Sequence, residues 1–204
     1  MSNSVAAVVE GDVDAAVVRR LAADAGLEIS TMHVKGGKQK VRARINGYNS
    51  AARYSPFVVL VDLDRDYACA PDLIADWLPD REPLLCFRIA VRAVEAWLLA
   101  DRERAAKFLR IPKARIEEIP EAIADPKRTL VDIARGSMSR DVREDIVPRD
   151  GSGRQVGAAY LSRLIEFVNG ASGWRPEVAA ANCDSLARAR KALTALSVTL
   201  RLTK

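Results

Sequence analysis

The hydrophobic pattern gives the chain a first half of strands alternating with helices and a second half of helices alone. Val5 to Val9 is a short apolar run that ends at Glu10-Gly11. Val13, Val17, Leu21 and Ala25 then recur at helical spacing, which predicts a helix from about Val13 to Ala25, with Asp12 as its N-cap and Gly26 as its stop. Glu28 to Val34 reads as a second strand, and Gln39 to Tyr48 fits a short helix. Phe57 to Val61 is a continuous, mostly β-branched run that passes straight into acids, the pattern of a strand buried on both faces of a parallel sheet. A helix from about Pro71 to Leu78, a strand over Leu84 to Val91 and a helix over Arg92 to Asp101 complete this half. The repeated strand-helix order predicts an α/β fold, a mainly parallel central sheet flanked by helices. From Arg102 onward strand signals cease, and Pro112, Pro120 and Pro126 cut the chain into short helices, among them Thr129 to Arg135 and Arg140 to Ile146. Helices over Gln155 to Val168 and Asp184 to Leu196 follow the loop Pro148 to Arg154. The expected organisation is an α/β core over 1–101 and an α-helical extension over 102–204 packed on it.

A length of 204 residues suits one ordinary domain, alone or with such an appendage. No apolar run is long enough to span a bilayer, so no membrane association is expected. Met1-Ser2-Asn3-Ser4 brings no basic region before the first apolar run, so no secretory signal is expected either. Cys69, Cys86 and Cys183 are far apart, which fits a reducing cytoplasm better than a disulfide framework or a cysteine-rich zinc site. His33 is the only histidine; it falls in the second strand, and chemistry that needs a histidine pair is excluded. The glycine-rich signatures of P-loop and dinucleotide sites are absent, and Gly36-Gly37-Lys38 is only a fragment of the former.

The acids at the strand ends carry the candidate chemistry. Alternation along a strand would turn Asp62 and Asp64 to one side and Leu63 into the core. Two close carboxylates repel, and a hard divalent cation relieves the repulsion. Ligand sites of open α/β sheets lie at the carboxyl ends of strands, where this pair falls. A solvated acidic turn capping the next helix accounts for an isolated Asp-x-Asp as well. Glu10, directly after the first buried strand, has little local reason to be acidic. Asp14, one turn into the helix, either faces the same point above the sheet or simply complements the helix dipole. Glu95 follows another strand end, in a segment made largely apolar by Trp97, Leu98 and Leu99, and a buried acid needs a partner. Lys35, Lys38, Lys40, Arg42, Arg44 and Arg53 lie in a stretch without any acid. That stretch reads either as a surface for a phosphodiester backbone or as a solvated basic face.

Val8-Val9-Glu10-Gly11 and Val59-Leu60-Val61-Asp62-Leu63-Asp64 resemble the motifs of a Toprim domain, the catalytic fold shared by topoisomerases, primases and the overcoming-lysogenisation-defect nucleases. Asp14 resembles the second acid that those nucleases add to the first motif. The segment Arg88 to Asp101 resembles one typical of small, uncharacterised bacterial Toprim-like proteins often encoded beside an ATPase. The resemblance implies a Toprim-like fold and a divalent-metal-dependent nuclease that cleaves phosphodiester bonds, working in the cytoplasm with an ATPase partner in defence or DNA processing. It implies Mg2+ or Mn2+ held by Glu10, Asp14, Asp62, Asp64 and Glu95, and nucleic acid, DNA rather than RNA, on Lys35, Lys38, Lys40, Arg42 and Arg44. Related nucleases place a lysine near the metals in a later segment; here Arg154, in the glycine loop, stands nearest to that role beside Glu10, Asp62 and Asp64. Two alternatives stay open: a non-catalytic Toprim-like regulatory subunit of an ATPase complex, and a metal-dependent nucleotide-sugar transferase. Glu10 argues against the transferase, which has no evident use for an acid after the first strand.

Overall fold

The computed structural model describes residues 3–202. They form two compact units. The first runs through Val91 and takes up the chain again from Ala187; the second spans Arg92–Leu186. The helix expected over Arg92 to Asp101 thus belongs to the second unit.

The first unit contains β1 (Ser4–Val9), α1 (Asp12–Asp24), β2 (Glu28–Val34), α2 (Lys38–Arg42), α3 (Ile45–Ala51), β3 (Phe57–Asp62), α4 (Ala70–Trp77) and β4 (Leu85–Ala90). The four strands form one sheet in the order β2-β1-β3-β4, with every pairing parallel. This is the helix-flanked α/β architecture that the strand-helix order predicts, and it is consistent with a Toprim-like fold. β1 and β3 are the inner strands, which is why their sequences are apolar without alternation. β2 is an edge strand, and its polar sequence is largely exposed. One face of the sheet, through Val8, Val59, Val61, Phe87 and Ile89, packs with Val41, Ile45, Leu73 and Trp77 from the helices.

Two local readings are corrected. The N-cap of α1 is Gly11, not Asp12: its extended backbone N–H donates to Asp14 Oδ2 at 2.7 Å. A Cβ on Gly11 would sit 3.2 Å from that oxygen, so the missing side chain lets the carboxylate close in. The helix expected over Gln39 to Tyr48 is two short helices, because Arg44, at φ −120° and ψ 0°, leaves the helical region between them.

The second unit contains α5 (Val94–Ala100), α6 (Arg102–Leu109), α7 (Pro126–Arg135), α8 (Arg140–Ile146), α9 (Tyr160–Asn169), α10 (Pro176–Ala179) and the start of α11 (Asp184–Leu202). Trp97 is fully buried; its indole N–H donates to Ser185 Oγ at 2.7 Å, and its carbonyl accepts from the Trp174 indole at 2.9 Å. The helix expected from Gln155 begins only at Tyr160. The cause lies at Gly157, whose N–H donates to the Ile146 carbonyl at 2.8 Å. A Cβ there would fall 2.2 Å from the Asp145 carbonyl oxygen, so this stretch is held against the end of α8 instead of coiling. No helix among the described residues is long and apolar enough to cross a membrane.

Candidate active site

Parallel pairing puts the ends of β1 and β3 on one edge of the sheet. Glu10 leaves β1 there, and its Oε1 accepts the main-chain N–H of Asp62, the last residue of β3, at 2.8 Å. The first and second acidic motifs are therefore joined by a direct hydrogen bond. Glu10 also anchors the loop after β2: its carbonyl accepts N–H donors from Gly36 at 2.8 Å and Gly37 at 3.2 Å. Gly36 and Gly37 both have positive φ, which a side-chain-bearing residue adopts only with strain.

The chain continues beyond β3 along β4, with Leu63 N–H donating to Ala90 O at 2.8 Å and Leu63 buried as expected. Strand alternation then ends. Asp64 takes the left-handed conformation, φ 53°, one of two non-glycine residues among those described to do so. Such a conformation costs energy in an L-residue, is best tolerated by Asp and Asn, and is found at turns that re-aim a functional side chain. Here the turn places Asp64 and Asp66 together on one partner, Lys38. The Lys38 ammonium donates to Asp66 Oδ2 at 2.9 Å, Asp64 Oδ2 at 3.2 Å and the Leu63 carbonyl at 2.8 Å.

Lys38 corrects the expectation that the basic run lies wholly on the surface: it is 8% exposed and belongs to the acid cluster. An ammonium has three donors, and all three are used, so none is left for a phosphate in this arrangement. The other members of the run divide. Arg42 pairs with Asp76 at 2.8 Å, and Arg53 with Glu82 at 2.7 Å. Lys35, Lys40 and Arg44 have no acid within ion-pair distance among the described residues; Lys35 lies 5.6 Å from the Tyr48 ring centre.

Burial pushes the Glu10 carboxyl up to about 7; the Asp62 N–H and Lys38 oppose this, and the charges of Asp64 and Asp66 reinforce it. Asp14, buried on the first turn of α1, spends one oxygen on the Gly11 cap. Among the described residues, no three His, Cys, Asp or Glu side chains are gathered closely enough to hold one ion as they stand.

Glu95 and Arg154 belong to the second unit. Glu95 is buried and accepts the Tyr160 hydroxyl at 2.9 Å. Its carboxyl is raised, chiefly by burial, with the hydrogen bond from Tyr160 and the charge of Lys127 opposing. A carboxyl raised in the folded state binds its proton more tightly there than in the unfolded chain. It therefore weakens the fold as pH climbs above the ordinary carboxylate range. Glu95→Gln is expected to stabilise the protein more at pH 8 than near pH 4, because the raised carboxyl weakens the fold only as pH climbs above the ordinary carboxylate range. Denaturant melts at the two pH values check this; an equal effect at both would mean that Glu95 is not held neutral. Arg154 is exposed after the turn Gly151-Ser152-Gly153 and lines a cleft of about 340 Å³ with Asp125, Lys127, Arg128 and Arg135.

No family model matches the chain, and no curated protein or solved structure matches it either. Apolar runs and spacing point to Glu10, Asp62 and Asp64, but not to Asp66 or to the true place of Lys38. For Asp66 the available signal is the run Asp62-Leu63-Asp64-Arg65-Asp66; for Lys38 there is only the glycine pair before it.

Proposed function

We propose that the chain is a divalent-cation-dependent phosphodiester hydrolase, a Toprim-like nuclease. The observation that carries this reading is the hydrogen-bonded junction of Glu10 with Asp62 at one sheet edge, with Asp64 and Asp66 turned together onto Lys38 beside it. The donors suit magnesium or manganese in kind, being hard carboxylate oxygens on one sheet edge. Glu10, Asp62 and Asp64 are the residues that would hold the ion, which supplies Lewis-acid stabilisation of charge on the phosphodiester. The Asp62 N–H orients the Glu10 carboxylate, and the left-handed turn at Asp64 aims the second acid. Substrate phosphates fall to Lys35, Lys40 and Arg44, the basic residues of the same run without an acid partner among the described residues.

The test is cleavage of labelled DNA with Mg2+ or Mn2+, together with calorimetric titration of the same ions. Cation-dependent cleavage that disappears on chelation is the expected result. Neither cleavage nor binding at millimolar ion would overturn the reading. For the basic surface, changing Lys35, Lys40 and Arg44 together to Ala is expected to weaken DNA binding about tenfold or more at 0.1 M salt. It should also flatten the salt dependence by roughly one unit for each phosphate no longer held. Arg42→Ala should change little, since Asp76 already occupies it. Mobility shifts at several salt concentrations distinguish the two; equal slopes would assign these residues to a solvated face.

A second reading, a non-catalytic subunit of an ATPase complex, is favoured by one observation: Lys38 already satisfies Asp64 and Asp66 from within the chain.

A further inference from the structure

We infer that the groove beside the edge strand β2 receives the unpaired bases of a single-stranded nucleic acid, stacked on His33, Tyr48 and Phe57, with Lys35 and Arg44 on its phosphates. The inference rests on the reading of the chain as a nuclease and gives the strand state of its substrate. The groove belongs wholly to the first unit, has a volume of about 590 Å³, and is walled by those three rings together with Arg44 and Gly47. The rings form a row. His33 lies 6.3 Å from Tyr48 with planes 25° apart, and Tyr48 lies 5.9 Å from Phe57 with planes 33° apart. All three are half-buried, so each keeps part of its side chain at the surface. Among the described residues no carboxylate lines the groove.

The charges around it suit a polyanion. Arg42 and Arg53 are spent on Asp76 and Glu82, whereas Lys35 and Arg44 have no acid within ion-pair distance among the described residues. Lys35 stands between the groove and the acids. Its main-chain N–H donates to the Val9 carbonyl at 3.0 Å, one residue before Glu10, and its ammonium lies 5.6 Å from the Tyr48 ring centre. A strand stacked on Tyr48 and held at Lys35 is therefore led toward Glu10 and Asp62. Aromatic faces flanked by cations hold single strands by stacking and by their phosphates; a duplex keeps its base faces inside the helix and cannot use the rings. Gly47 points the same way. It lies within α3, where glycine costs stability against alanine, and its φ is not positive. Among the described residues, a Cβ there would meet no packed neighbour within 4 Å. Neither backbone geometry nor packing accounts for this glycine, but an open groove wall does, since a side chain would take up space that the bases need.

The test is fluorescence anisotropy on the full chain with a labelled oligothymidylate of about 12 nucleotides and a duplex of equal length, in chelator so that cleavage does not intervene. Wild type should bind the single strand about tenfold more tightly than the duplex. Gly47→Leu should weaken single-strand binding about tenfold and leave duplex binding within about twofold. It should also raise the melting temperature by about 1–3 °C, because leucine is the better helix former. Tyr48→Leu should weaken single-strand binding similarly. Tyr48→Phe keeps the ring and gives up a hydroxyl that has no hydrogen-bond partner among the described residues, so it should restore binding to near the wild-type value. Equal affinity of wild type for single strand and duplex overturns the inference, as does a folded Gly47→Leu that binds the single strand like wild type. In either case the nuclease reading is decided separately, by Mn2+-dependent cleavage of DNA by the wild type. If wild type binds neither nucleic acid, the inference fails and the nuclease reading loses its substrate with it.

Discussion

Glu10→Gln is expected to lower cation-dependent cleavage by about two to three orders of magnitude, the scale for losing one preorganised electrostatic group, while leaving the sheet edge in place. The glutamine carbonyl can still accept the Asp62 N–H, which Glu10 now takes at 2.8 Å. The junction between the two strand ends therefore survives, and only the charge is lost. The same substitution should stabilise the ion-free protein, because burial and the neighbouring charges of Asp64 and Asp66 all oppose a carboxylate at this position. Loss of activity with a gain in stability is the signature of a charge kept for function. Cleavage rates at saturating Mn2+, set beside denaturant melts in chelator, check both halves. Cleavage at the wild-type rate would remove Glu10 from the reacting centre. Lost cleavage with lost stability would instead make Glu10 a structural residue, as expected of Glu10→Ala, which abandons the Asp62 N–H.

What the sequence could show of this site is what periodicity records. The apolar runs before Glu10 and Asp62 mark inner strands of a parallel sheet, and an acid at the end of each run puts both on one edge. Strand alternation carried through to Asp64 goes two residues too far: β3 ends at Asp62, and the chain turns left-handed two positions later. A left-handed aspartate leaves no mark in a hydrophobic pattern. Pairing across the fold is equally hidden. A stretch without acids looks free to bind phosphates, but Lys38, Arg42 and Arg53 find their acids 26 to 34 positions away. Charge partners are set by which strand ends and loops the topology brings together, and a local charge count cannot see that. The segment from Arg88 to Asp101 is a further case. Its polar residues after the strand serve the second unit: Glu95 meets Tyr160, the Trp97 indole meets Ser185, and Asp101 meets Arg175.

Asp101→Ala is expected to cost about 2–4 kcal/mol, through the lost cap of α6 and the main-chain donor left without its acceptor. Asp101 is fully buried at the turn between α5 and α6. One oxygen caps α6 by accepting the Arg104 N–H at 3.3 Å; the side chain also accepts the Arg175 main-chain N–H at 3.0 Å and its guanidinium at 2.8 and 2.7 Å. Alanine removes all of these at once. It strips the cap from α6, leaves a main-chain donor unsatisfied, and leaves Arg175 with Glu103, at 3.0 Å, as its remaining acid. Because these bonds tie α6 to the turn before α10, 74 residues later, the damage falls on tertiary packing rather than on one helix. Asp101→Asn, which keeps an acceptor oxygen for the cap, should cost less than half as much. A double-mutant cycle with Arg175→Ala isolates the pair: in the Asp101→Ala background, removing the guanidinium should change stability far less than it does in wild type. Additive losses would mean that Asp101 acts through the cap alone, and that its pairing with Arg175 follows from the packing of the second unit instead of creating it.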